Sequence, residues 1–225
     1  MAASSSPPSS LDLRNPPHFP SYRHLPYDDS IDTRFYKAGL DGVYRPSHHW
    51  AYLAEIVEDR TTRLPPGTHH TTFVLGGGPS LGIERPHYLV RDRDGKDIDY
   101  AVGNTIAVFY ANSHSFNDGT VGLRIEELRS LKVIPCSLDT LLNANPSAVV
   151  AATTCKHCSH SQENEELLAC SRCKTRYCSQ KCQQADWKDH KAVCAAIRQV
   201  RDWEGRDWRR FGTYWEATTA VKLDL

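Results

Sequence analysis

The sequence predicts an α+β chain. A small, mostly-β N-terminal domain, barrel-like and OB-like in its strand order, is followed by a compact cysteine-rich module with a C-terminal helix. Three observations carry this expectation. Short β-branched stretches separated by turn residues recur between Ile31 and Ala151. Seven of the eight cysteines fall between Cys155 and Cys194. From Ser179 the pattern turns helical, with Cys182, Trp187, Cys194 and Ile197 as the expected inward positions.

Residues 1–30 are rich in Ser and Pro and poor in aliphatics. Such a stretch buries too little apolar surface to offset its ordering entropy, so it is expected to be a disordered tail. Its Pro7-Pro8 and Pro16-Pro17 pairs are also candidate ligands for the chain's own C-terminal module. Residues 31–150 form the β-rich domain, to which the sequence assigns no role. Strands are expected at Tyr88–Val90, Ile98–Val102, Thr105–Tyr110, Val121–Ile125 and Leu131–Ile134. Trp50 to Val57 suits a helix face through Trp50, Leu53, Ile56 and Val57, or a strand through Trp50, Tyr52, Ala54 and Ile56. The need of a sheet for one more partner favours the strand. Asp94-Gly95 and Asp118-Gly119 are hairpin dipeptides, because Gly takes positive φ without strain. Ser137 to Leu142 opens on a capping residue and predicts a short helix. Five or six strands in this span suit a closed or half-closed barrel, and equally a plain sandwich.

After a short linker, Asn143 to Ala151, the finger-sized segment 151–194 carries four ligand-spaced pairs. They are Cys155-x2-Cys158, Cys170-x2-Cys173, Cys178-x3-Cys182 and His190-x3-Cys194. Disulfides would want an oxidising compartment and a secretory signal, and the N-terminus has no apolar core of that kind. Chance clustering of buried thiols would not place four such pairs in succession. Eight soft ligands suffice for two closed, structural Zn2+ sites. The two pairs spaced i, i+4 would each lie on one face if helical. Spacing alone leaves open which pairs share an ion.

These pairs, with Tyr177-Cys178-Ser179, Cys182-Gln183 and Asp186-Trp187, resemble a MYND-type zinc finger at all eight ligand positions. The resemblance implies an interleaved arrangement, with Cys155, Cys158, Cys178 and Cys182 on the first zinc and Cys170, Cys173, His190 and Cys194 on the second. Sequential sharing is the alternative that spacing permits. The resemblance further implies a protein-interaction module binding extended, proline-containing peptides at Ser171, Gln183 and Trp187, as an adaptor for instance in transcriptional regulation. Leu167-Leu168-Ala169 is expected to form a strand leading into Cys170, and the helix to run from Ser179 to near Gly205. Residues 195–225 form a helical and aromatic extension whose Trp208, Phe211, Tyr214 and Trp215 are expected to pack on the β-domain.

Charge and motif count exclude other classes. Formal net charge is +0, pI is about 7.2 and mean hydropathy is -0.54, so no global field recruits nucleic acid or an acidic membrane. The division before Ala151 leaves 14 basic against 17 acidic residues on one side and 13 against 10 on the other. No apolar run approaches membrane-spanning length. Thiolate ligands without a secretory signal favour the nucleus or cytoplasm. Gly76-Gly77-Gly78 lacks the Lys-Ser or Lys-Thr of a phosphate loop, and the carboxylates Asp92, Asp94, Asp97 and Asp99 lack the Gly and Glu spacing of an EF-hand. The pairs His48-His49 and His69-His70 are expected to be exposed, and Cys136 to be a buried, inert thiol. Arg206, Arg209 and Arg210 among tryptophans resemble a stacking surface for single strands, but the interspersed acids favour internal ion pairs. MYND fingers also occur in SET-type methyltransferases. Here Asn112-Ser113-His114-Ser115 only echoes their methyl-donor segment, so no enzyme is expected. The alternative function is single-stranded nucleic-acid binding by the β-domain, with the finger recruiting partners.

Overall fold

The computed structural model describes residues 11–59, 62–63, 69–76, 87–91, 101–117, 119–125, 130–144, 146, 152–161 and 167–209. The chain divides into two units: residues 14–142 with 207–225, and residues 1–13 with 143–206.

The first unit is built on one sheet. Its strands are β3 (Ala51–Asp59), β4 (Thr62–Arg63), β5 (His69–Gly76), β6 (His87–Arg91), β7 (Thr105–Phe109), β8 (Ser113–Ser115), β9 (Val121–Ile125) and β10 (Leu131–Ile134). They run in the order β10-β7-β3-β5-β6-β9-β8, with β4 beside β5. A separate hairpin joins β1 (Tyr36–Ala38) to β2 (Tyr44–Pro46). Within the sheet β6 and β9 pair parallel, while the other pairs are antiparallel. Every residue of β7 is buried, as are Ala51 to Ala54 and Ile56 of β3. Strands covered on both faces lose their alternation, which is why Trp50 to Val57 fits two periods in the sequence. Trp50, Tyr52, Ile56, Leu75, Ile106 and Leu123 fill the core, and the Trp50 indole N–H donates to the Ala111 carbonyl at 3.0 Å.

The barrel and its OB-like order are not found: the pairing path is open, with β10 and β8 at its ends. The end strand β8 satisfies its outer backbone groups with the N-terminal segment instead. Ser113 N–H donates to Pro26 O at 2.8 Å, and Asp28 N–H donates to Ser113 O at 3.1 Å. A covered edge needs no closure.

That contact corrects a second expectation. Residues 11–30 are not a free tail: Leu13, Phe19, Ser21 and Leu25 are all buried, and Tyr22–His24 makes a 3-10 turn. Average composition undercounted a few well-placed apolar anchors. Residues 1–10 lie outside the described residues. The expected strand Ile98–Val102 is not seen where it is described, since Ala101 and Val102 are exposed and outside any strand. Residues 98–100, Asp94-Gly95, the other run carboxylates, Gly77 and Gly78 lie outside the described residues. Gly119 (φ 82°) turns the chain between β8 and β9 as the dipeptide predicts. The helix α1 (Leu138–Leu142) follows Ser137, whose hydroxyl accepts from Thr140 N–H at 3.2 Å.

His49 is also buried, against the expectation of exposure; its ring is hydrogen-bonded to the Tyr110 hydroxyl at 2.5 Å. It lies two residues before β3, a strand covered on both faces; His48 beside it is half-buried rather than exposed, its Nε2 hydrogen-bonded to the Pro17 carbonyl. Trp208 packs on this unit as expected, 4.7 Å from the Phe19 ring and 6.1 Å from Phe109, and its carbonyl accepts from His49 N–H. Arg210, Phe211, Tyr214 and Trp215 lie outside the described residues.

The second unit holds the hairpin β11 (Leu168–Ala169) and β12 (Arg176–Tyr177), then the helix α2 (Gln180–Glu204). Among the described residues no helix is long and apolar enough to cross a membrane.

Candidate metal centres

Each Cys-x2-Cys segment folds as a tight turn closed by backbone hydrogen bonds. Ser159 N–H donates to Cys155 O at 2.9 Å, and Lys174 N–H donates to Cys170 O at 3.0 Å. The residue after each second cysteine takes positive φ, 57° at Ser159 and 67° at Lys174. That left-handed step lets the chain reverse behind the sulfurs. Cys155 N–H donates to His160 O and Cys170 N–H donates to Thr175 O, so both turns have the same closure.

Cys178 follows β12, and Cys182 stands in the first turn of α2. Ser179 between them is the N-cap, its hydroxyl accepting from Cys182 N–H at 3.3 Å. The pair therefore straddles a helix start rather than sharing one helix face, since an N-cap residue has extended backbone. His190 and Cys194 do share a face of α2, and both are buried.

The structure brings together Cys155, Cys158, Cys178 and Cys182 in one tetrad, and Cys170, Cys173, His190 and Cys194 in another. Within each, the ligand atoms lie within 4.8 Å of one another. Individual edges are 3.6 Å for Cys158–Cys178, 3.4 Å for Cys178–Cys182, 3.9 Å for Cys170–Cys194 and 3.4 Å from Cys173 Sγ to His190 Nε2. A tetrahedron with zinc–sulfur bonds of ~2.3 Å has edges of ~3.8 Å, and slightly shorter ones to nitrogen. Ligand chemistry and edge lengths fit two zinc ions, each closed with four protein ligands. The interleaved sharing is what the structure shows, and sequential sharing is excluded.

Electrostatics show what the ions supply. The Cys155 and Cys170 thiols are brought down to about 6: burial pushes each up, and hydrogen bonds from the surrounding turn outweigh it. For Cys155 these come from the backbone of Cys158, Cys178 and His157; for Cys170 from the backbone of Cys173 and Arg172 and from the His190 ring. Cys178 is pushed up to about 12 by the neighbouring sulfurs of Cys182, Cys158 and Cys155. Cys194 is pushed up to about 12 by burial and by Cys173 and Cys170. Each tetrad thus holds one thiolate readily, at Cys155 or Cys170, and opposes a second, at Cys178 or Cys194, because the sulfurs crowd together. A divalent cation at the centre removes that repulsion.

The tetrads differ in cover. Cys170, Cys173, His190 and Cys194 are all at most 5% exposed, whereas Cys158 is exposed and Cys178 and Cys182 are half-buried. Around the second tetrad Tyr177 is fully buried, and its hydroxyl donates to Asp186 at 2.7 Å. Burial and that carboxylate hold the phenol neutral, far above its ordinary value.

The other candidate residues fall as follows. Ser171 is exposed in the second turn and Gln183 is half-buried on α2. Trp187 is 46% exposed rather than inward, its ring 6.1 Å from that of His190. It keeps the stripe of Cys194, seven residues on, yet sits where the small finger covers it only in part. Cys136 is buried as expected, its thiol pushed up to about 11 by burial. In the Asn112-Ser113-His114 stretch Asn112 accepts from the Tyr36 hydroxyl, the Ser113 hydroxyl donates to the Pro26 carbonyl, and His114 pairs with Asp28. Exposed Leu168 on β11 was not singled out in the sequence; its neighbour Leu167, just before the strand, is buried.

Residues 155–194 match the MYND finger family. The chain is 28% identical over 107 residues to Dauer abnormal formation protein 25 of Caenorhabditis elegans, covering 48% of this chain and 27% of that protein. It is 59% identical over 34 residues to SET domain-containing protein 14 of the same organism, covering 15% of this chain and 8% of that protein. The matches thus span well under half the length of either curated relative.

Proposed function

We propose that the chain is a non-enzymatic adaptor whose zinc-held finger binds extended, proline-containing peptides of other proteins, in the nucleus or cytoplasm and in transcriptional regulation. The observation that carries this reading is Trp187, a large aromatic side chain 46% exposed on a finger with few buried apolar residues. Exposed aromatics beside polar groups are the usual anchors of binding surfaces. Zinc makes the finger a binding protein by holding the β11–β12 hairpin and α2 in one arrangement. An extended ligand adds main-chain hydrogen bonds along β11, whose Leu168 and Ala169 are exposed. Ser171 and Gln183 hydrogen-bond the ligand backbone, and its apolar residues rest on Trp187.

The ligand comes from another chain. Glu204 at the end of α2 takes a hydrogen bond from the Leu11 backbone. Trp187 lies seventeen residues back along α2 from that point, ~25 Å at the helical rise. Pro7 is four residues from Leu11, a reach of at most ~14 Å. Pro17 is held elsewhere, its carbonyl accepting from His48 Nε2.

Calorimetry with a proline-containing peptide tests the reading. Trp187→Ala should weaken binding at least tenfold while two zinc ions remain by elemental analysis. Unchanged affinity in the variant rejects the groove. The nucleic-acid alternative rested on an OB-like barrel, and the described strands pair along an open path instead.

A further inference from the structure

Among the described residues, the surroundings of Trp187 carry charge that the finger leaves unbalanced. Lys188 and Lys191 are exposed on α2, and neither forms an ion pair among the described residues. Their helical neighbours at three and four positions are Gln184, Ala185, Trp187, Ala192, Cys194 and Ala195, or each other, so no acid stands where a helix would supply one. The two lysines are themselves i, i+3, a like-charge pair that a helix bears at a small cost.

Lys191 is four residues from Trp187, rotated by ~40°, and Lys188 by ~100°, so both lie beside it on the same side of the helix. Of the nearby carboxylates, Asp186 is engaged by the Tyr177 hydroxyl. Asp189 is exposed but rotated by ~200° from Trp187, on the far side of α2. On the same helix, the Trp187 ring is 6.1 Å from His190, whose Nε2 is 3.4 Å from Cys173 Sγ. The turn holding Cys173 carries Lys174, which is exposed and likewise unpaired among the described residues. Trp187 is thus bordered by cations on the helix, and its contact with His190 leads through Cys173 to the turn that carries a third.

We propose that the peptide taken by this finger carries acidic side chains beside its proline, with Lys188, Lys191 and Lys174 as their partners. The inference rests on the groove reading above and names the ligand more narrowly. An extended peptide places alternate side chains on one side at ~7 Å intervals, so acids following an apolar anchor on that side run past the lysines beside Trp187. Exposed ion pairs are individually weak, and two or three of them give about a tenfold preference that salt removes.

The test uses the intact zinc-loaded chain and three peptides of equal length built around one proline. One has neutral flanks, one two Glu, one two Lys. The expected order of affinity is Glu, neutral, Lys, with about tenfold between Glu and neutral at low salt and a difference under threefold at high salt. Lys188→Glu with Lys191→Glu should reverse the order while zinc content stays at two. Equal affinity for the neutral and Glu peptides overturns the inference and leaves the groove reading standing. Failure of all three peptides to bind overturns both. A single-stranded oligonucleotide that binds with the same lysine dependence, while the peptides do not discriminate, overturns the inference in favour of a nucleic-acid surface.

Discussion

The unequal cover of the two tetrads predicts that their ions leave at very different rates. A chelator reaches the first ion through Cys158, which is exposed, with Cys178 and Cys182 only half-buried. No ligand of the second ion is more than 5% exposed, and Tyr177 and Ile197 lie in the same buried cluster. Access there requires lifting those two side chains off the cluster. At about 2 kcal/mol for each, the opening costs about 4 kcal/mol, a factor of roughly a thousand in rate. Challenge with excess chromogenic chelator should therefore release two zinc ions in two phases of equal amplitude, separated by about three decades. Cys158→Ser should remove the fast phase, leaving one slowly released ion and a helical circular-dichroism signal from α2. Release of both ions in one phase, or loss of the slow phase in Cys158→Ser, would refute the assignment of access to burial.

Two further outcomes test the local arguments. Ser179→Ala removes the hydroxyl that accepts from Cys182 N–H; it should destabilise the start of α2 by about 1 kcal/mol and weaken the first zinc severalfold, read by chelator competition. Trp50→Ala empties a fully buried site and leaves the Ala111 carbonyl without its donor. It should cost about 3–5 kcal/mol in urea unfolding followed through the sheet, with zinc content unchanged at two.

The metal centres were legible because coordination chemistry dictates residue type and spacing directly: thiols in Cys-x2-Cys turns have few other uses. Even there, the role of Ser179 as a cap between Cys178 and Cys182 needed the structure, since i, i+4 spacing alone suggests a continuous helix. The sheet was legible only in its apolar members. β7 and β9 announce themselves through Ile, Val and Leu, whereas β5 begins His69-His70-Thr71-Thr72 and gives little signal. Strand order was not legible: the parallel pairing of β6 with β9 joins segments far apart in sequence, and nothing local encodes it. The N-terminal segment misled for a related reason. Phe19 and Leu25 are two apolar residues among many polar ones, and only the partners they meet reveal that they are anchors.

Trp208 returns the chain to the sheet after α2, so residues 143–206 form an excursion held at both ends by the same β unit. Stripped of metal, this segment becomes a closed loop instead of a dangling tail, and its conformational freedom is reduced by a few kcal/mol through ring closure. A protease that nicks the loop would then generate two fragments that stay together through the stack of Phe19, Phe109 and Trp208, and a truncation after Cys194 would take Trp208 out of the β unit.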